Sequence, residues 1–218
     1  GWWLVREYID GSGWHKDWWP KILRFGLPLV PAALAMYVMN TTDRWFIIHF
    51  HGKEALGIYS VGAKLSLGLL IVVEPFRKAW WPIAMDLIQN DGRPVIARIA
   101  QLYIGFGAVA AVLLTAFSPL FTNFLVAPVY YFAFPIVGIL AWKTLFIGAY
   151  MIFSLGIWKQ NKTKWVPLLH GIAAIVNILL NYVLVPKYST LGAAIASSLT
   201  FLLWLLITLA ASQMLWPV

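Results

Sequence analysis

Apolar residues run along this chain in long stretches separated by short polar or proline-bearing connections. A helix needs about 20 consecutive apolar residues to cross the hydrocarbon core of a bilayer. Six stretches reach that length, at residues 22–48, 56–88, 95–117, 132–158, 165–184 and 191–215. The first carries Pro28 and Pro31 near its start. The second is too long for one straight crossing and holds Pro75 and Pro82, so it either kinks or its second half leaves the bilayer along the interface. A connection with Pro119 and Pro128 is expected over residues 118–131, and Pro186 is expected to close the fifth stretch. Residues 1–20 mix Trp2, Trp3, Trp14, Trp18 and Trp19 with Arg6, Asp10, Lys16 and Asp17. Tryptophan beside charge marks a membrane–water interface. Residues 1–8 therefore read as the tail of a preceding helix, and 9–20 as an interfacial linker. The apolar start is too short to span and lacks a signal-peptide layout. The pattern predicts an all-α, polytopic membrane protein, with a six-helix transmembrane bundle over residues 21–218.

Composition agrees. Of 218 residues, 61% are hydrophobic and 11% charged, against about half and about a quarter in soluble domains. This excludes a soluble enzyme, a disordered chain and an ordinary nucleic-acid-binding domain. The chain opens on Gly1 rather than Met and reads as part of something larger. Its formal charge of +8 lies between the apolar stretches, where it first signals topology. Lys16, Lys21 and Arg24 precede the first stretch, and only Lys53 follows it. Arg93 and Arg98 follow the second, with Arg77 and Lys78 upstream; no Lys or Arg follows the third. Lys159, Lys162 and Lys164 follow the fourth, and only Lys187 follows the fifth. Rich and poor connections alternate, which predicts a multi-pass protein of the plasma or inner membrane with both ends cytoplasmic, and no nucleic-acid partner.

Cysteine is absent, so disulfides and thiolate chemistry are excluded. The four histidines are scattered, and neither a metal site nor a cofactor is expected. No Ser–His–Asp order, phosphate-cradling glycine loop or carboxylate pair occurs. No connection is long enough to house an aqueous catalytic domain. The expectation is a transporter and not an enzyme, since transport needs kinked helices around a midplane cavity rather than long loops.

Ionisable residues inside spans are costly and are functional candidates by default. Asp43 and Arg44, near the outer end of the first stretch, either cap the helix at the interface or face a cavity. Glu74 with Arg77 or Lys78 has helical ion-pair spacing and reads as structural. Lys64 lies a third of the way into the second stretch, and Lys143 near the middle of the fourth. Both are candidates for a water-filled cavity or an anion. His170 reads as hydrogen-bonded within the bundle. Arg44, Lys64 and Lys143 outnumber the nearest acid, Asp43, and a cavity lined by them would suit an anion such as a phosphate. Asn177 and Asn181, one turn apart, read as interhelical packing groups, and Gly192, Ala193, Ala194, Ala196 and Ser197 as a small-residue contact face.

The stretch 176–204, VNILLNYVLVPKYSTLGAAIASSLTFLLW, resembles the C-terminal signature of polysaccharide (O-antigen) flippases, in the multidrug/oligosaccharidyl-lipid/polysaccharide exporter superfamily. The matching positions are Asn177, Asn181, Tyr182, Pro186 and Gly192 to Ala194. Residues 23–47, with Gly26, Pro28, Pro31, Asp43 and Arg44, resemble the helix that opens the second half of such flippases. GIYSVGAKL (57–65), PFRKAWWP (75–82) and NKTKWVP (161–167) continue the likeness. Ser189 departs from it, standing where the family usually has glycine. The resemblance covers nearly the whole chain and implies one six-helix lobe of a two-lobe exporter, whose partner is an N-terminal lobe. It implies alternating-access export of a lipid-linked oligosaccharide on an undecaprenyl diphosphate carrier, with Arg44, Lys64 and Lys143 engaging diphosphate or acidic sugars. Rival readings are a cation-coupled drug or metabolite exporter of the same superfamily, a membrane-embedded glycan polymerase or transferase, and a non-transporting scaffold.

Overall fold

The computed structural model describes residues 19, 20, 23, 26, 27, 29–90, 92–160 and 162–217. Most of the tail and linker expected over residues 1–20 lies outside the described residues, as do Lys21, Arg24 and Pro28. Among the described residues every regular element is helical. Helix α1 is Leu29–Ser66, followed by a 3-10 turn at Leu67–Leu69 and by α2, Leu70–Gln89. Then come α3 (Arg93–Leu125), a 3-10 segment (Pro128–Ala133), α4 (Phe134–Phe153), the short α5 (Leu155–Lys159) and α6 (Trp165–Leu215).

The pattern predicts six separate spans. Among the described residues the structure instead has four continuous helical stretches long and apolar enough to cross a membrane: Leu29–Gln89, Arg93–Leu125, Pro128–Lys159 and Trp165–Leu215. The difference lies in two expected connections that are not loops. In α1 the break is one residue, Gly52, at φ 80° and ψ −172°. In α6 it is Ser189, at φ 51° and ψ −129°. Both helices double back there. The Tyr59 hydroxyl donates to Asp43, 16 residues earlier, where a straight helix would hold the two about 24 Å apart. Asn177 Nδ2 donates to Thr200 Oγ1 at 3.2 Å, across 23 residues, where a straight helix would give about 35 Å. Each long helix is thus a pair of antiparallel arms.

Residue chemistry accounts for the bends. Only glycine adopts the Gly52 conformation without strain. At Gly192 an added Cβ would lie 2.2 Å from the Leu184 carbonyl oxygen, so the second arm of α6 lies flush on the backbone of the first. Pro186 does not close its helix, which stays helical through Tyr188. The carbonyl that Pro186 leaves unbonded belongs to Tyr182, an exposed residue. The two bends sit at one end of the molecule, where the His51 Nε2–H donates to the Val185 carbonyl at 2.8 Å.

Two further expectations are corrected. The connection expected over residues 118–131 begins later, because α3 runs through Pro119 to Leu125. Pro119 cannot bond the Thr115 carbonyl, but the Ser118 hydroxyl does so at 2.8 Å. Thr122 Oγ1 in turn donates to the Ser118 and Pro119 carbonyls, at 3.0 Å each. The Ser118 hydroxyl thus replaces the missing backbone donor, as membrane helices require. The second stretch is interrupted by the 3-10 turn Leu67–Leu69, and α2 stays helical through Pro75 and Pro82.

The end opposite the two bends gathers other chain segments. Arg93 donates to the Pro217 carbonyl at 3.1 Å, and Arg93 and Lys159 both lie over the Trp216 ring. The connections before α3 and after α5 therefore share a face with the last turn of α6. The core is apolar and finely fitted. Val73, Trp80, Tyr103, Leu145 and Leu155 form one cluster, and Phe46, Ile47, Tyr59, Ile136 and Val185 another beneath the bends. The outer surface carries exposed Leu34, Tyr37, Ile71, Phe106 and Phe124, as expected of helices that meet lipid or further protein.

Candidate functional site

A pocket of about 220 Å³ opens between the arms of α1 and α4. The first arm lines it with Asn40, Asp43 and Arg44, the second with Tyr59 and Lys64, and α4 with Lys143 and Thr144. The reversal at Gly52 sets residues 43 and 44 opposite 59–64. Gly62 then lets the second arm press on α4, since a Cβ there would lie 2.8 Å from the Ile136 side chain. Lys143 follows two turns further along α4. The four candidates Asp43, Arg44, Lys64 and Lys143 therefore come together, although no two of the segments that carry them are neighbours in one helical turn apart from 43 and 44.

Asp43 anchors the pocket. It is 2% exposed, and a buried carboxylate needs several donors. Its Oδ2 accepts from the Tyr59 hydroxyl and from Ser197 Oγ at 3.2 Å, while Oδ1 accepts from the Arg44 backbone N–H at 2.8 Å. These are neutral donors from three helical segments. Among the described residues Asp43 forms no ion pair, and neither do Arg44, Lys64 and Lys143. Arg44 and Lys64 are exposed and Lys143 is half-buried, its Nζ lying 4.8 Å above the centre of the Phe201 ring. That ring face stabilises the ammonium without neutralising it. Three basic groups line the pocket against one carboxyl group, a formal excess of basic residues.

The packing candidates lie elsewhere. Asn177 and Asn181 are fully buried between the arms of α6. Asn177 bonds Thr200 on the other arm, whereas Asn181 donates to the Asn177 carbonyl of its own helix at 2.9 Å. Pro186 and Gly192 flank the Ser189 bend. Glu74 and Arg77 form an ion pair one turn apart on α2. His170 donates from Nδ1 to the Val166 carbonyl at 2.7 Å and sits edge-on between Tyr150 and Trp204. Among the described residues no group of three or more His, Cys, Asp or Glu could hold a metal ion.

Sequence reasoning missed Tyr59, Asn40 and Thr144 as pocket residues, and read Ser197 only as a small contact residue. One signal could have found Tyr59 and Ser197. A buried Asp must draw hydroxyl or N–H donors from other helices, and both residues lie in neighbouring apolar segments.

Fold and site together define an all-helical membrane protein with a cationic pocket built on a buried, fully hydrogen-bonded carboxylate. No protein-family model matches the chain, and no solved structure matches it. A stretch of 69 residues is 38% identical to the Haemophilus influenzae protein named "Lsg locus putative protein 1". That stretch covers 32% of this chain and 17% of the relative. The name gives a locus and no activity.

Proposed function

We propose that the chain is one lobe of a membrane exporter that carries the anionic head of a lipid-linked oligosaccharide across the bilayer, with no catalytic step. The observation that carries this reading is the meeting of Arg44, Lys64 and Lys143 in one pocket with no acid paired to them. Uncompensated charge inside a membrane bundle is expensive, and a diphosphate is an anion able to offset it. The reading counts each arm of α1 and α6 as a crossing, making six, with both ends cytoplasmic and an N-terminal lobe closing the other side of the cavity. An undecaprenyl diphosphate carrier supplies the matching charge, and its tail stays in the bilayer. The likeness in sequence to polysaccharide flippases supports the same substrate class.

The test is glycan export in cells carrying the intact protein. The double variant Lys64→Gln/Lys143→Gln should abolish export at normal protein levels, while normal export would remove both lysines from the mechanism. Asp43 favours a second reading, a cation-coupled exporter, because a buried intramembrane carboxylate is the usual seat of coupling. Under that reading Asp43→Asn abolishes ion-driven transport of small cationic drugs; under the first it leaves drug resistance unchanged.

A further inference from the structure

A hollow of about 510 Å³ lies between α3, the junction of α4 with α5, and the last turns of α6. It shares no lining residue with the pocket that holds Asp43. Ile96, Ala100 and Ile104 line it at four-residue spacing along one face of α3, and Ile152 and Leu155 add to the apolar wall. The Ser212 hydroxyl, also of a lining residue, already accepts from the Gly156 N–H at 2.9 Å. Gly105, at the far end of the α3 face, is exposed, and a Cβ added there would meet nothing within 4 Å. From Ile96 to Gly105 the helix rises about 14 Å. The hydrocarbon of one leaflet is about 15 Å deep, half of the bilayer core.

The near end of the hollow is basic. Three elements that wall it each carry one more group within a turn of a lining residue. Arg93 lies one turn before Ile96, Lys159 one turn after Gly156, and Trp216 one turn after Ser212. These groups meet: the Arg93 guanidinium lies 5.2 Å and the Lys159 ammonium 4.1 Å from the centre of the Trp216 ring. The Trp216 backbone N–H donates to the Ser212 carbonyl at 2.8 Å, which ties that cluster to the hollow's wall. In sequence, residues 86–98 and 159–164 hold Arg93, Arg98, Lys159, Lys162 and Lys164 against Asp86 and Asp91, a formal excess of three positive charges. Tryptophan among Lys and Arg belongs at headgroup level.

Depth and charge together select the occupant. A soluble anion would use the basic end and leave an apolar hollow one leaflet deep unfilled. A neutral lipid would fill the hollow and make no use of the basic end. An anionic amphiphile uses both, and basic pockets between membrane helices are seats for lipid phosphate.

We infer that this hollow seats an anionic phospholipid, with one acyl chain along α3 between Ile96 and Gly105 and its phosphate beside Arg93 and Lys159. The inference goes beyond the export reading and needs only that the bundle lie in a membrane.

Native mass spectrometry of the intact protein in detergent tests it, with dioleoylphosphatidylglycerol, dioleoylphosphatidylcholine and glycerol 3-phosphate as probes. One phosphatidylglycerol should bind about 25-fold more tightly than phosphatidylcholine, about fivefold for each of two basic residues. Arg93→Gln/Lys159→Gln should remove that preference, and Lys159→Gln alone should cost about fivefold, which keeps the test standing if the double variant does not fold. Gly105→Trp places a ring in open space; it should leave the lipid-free melting temperature unchanged and weaken phosphatidylglycerol about fifteenfold or more, the worth of two lodged methylenes. Glycerol 3-phosphate should not bind. Equal binding of the two lipids, or a preference that survives loss of the basic residues, overturns the proposal. So does phosphatidylglycerol binding unmoved in Gly105→Trp, which would reduce the site to surface charge, and so does glycerol 3-phosphate binding as tightly as the lipid. None of these results depends on whether Lys64 and Lys143 are needed for export.

Discussion

A carboxyl group buried at 2% exposure inside a membrane protein needs hydrogen-bonding neighbours in place of water. Asp43 has three such neighbours, and Tyr59 is the one that joins the two arms of α1 directly. A hydrogen bond to a charged group is worth about 2 kcal/mol. Tyr59→Phe should therefore destabilise the protein by about that amount in thermal unfolding in detergent, and Ser197→Ala by less, its bond being longer at 3.2 Å. An unchanged melting temperature in Tyr59→Phe would show that Asp43 is solvated by other means. The candidate residues were legible one by one, because ionisable groups stand out against an apolar background. Their meeting was not, since a turn between residues 48 and 56 does not say which faces of the two arms meet each other and α4.

At the scale of elements, prolines misled and hydroxyls corrected. Pro119 and Pro186 look like helix ends, yet both helices continue past them. Ser118 makes the first possible by bonding the freed Thr115 carbonyl, and that signal was present in the sequence. The true break in α6 falls on Ser189, where the backbone takes a positive φ that suits glycine. Serine there costs on the order of 1 kcal/mol. Ser189→Gly should raise the unfolding free energy by about that much, and a decrease would mean the bend is held by the serine side chain. Gly192→Ala should act in the opposite sense. Its methyl group would meet the Leu184 backbone, which cannot yield as a side chain can, and the cost should be about 3 kcal/mol.

At the scale of the whole molecule, the all-helical membrane class was legible from hydrophobic run length. The number of separate helices was not, because the polar intervals at 49–54 and 187–190 stay helical on either side of a one-residue reversal. The cysteine-free chain makes the arrangement testable. Single cysteines at the exposed positions Lys53, Ala127 and Lys187 should react with a membrane-impermeant maleimide from outside the cell. Cysteines at the exposed Asn90 and Gln160 should react only after the membrane is opened. Labelling of 53 and 90 from the same side would mean that the second arm of α1 and α2 do not together cross. The bridge from His51 to Val185 carries one more consequence, a practical one. With both turns reduced to single residues and tied together, the molecule exposes side chains such as Lys53 and Lys187 there but offers little slack backbone for a protease to cut. An epitope tag placed at 52 or 189 would break the reversal that pairs two helical arms and pull on the bridge between them. The break at residues 126–127, outside every helix, is the place on that face to put one.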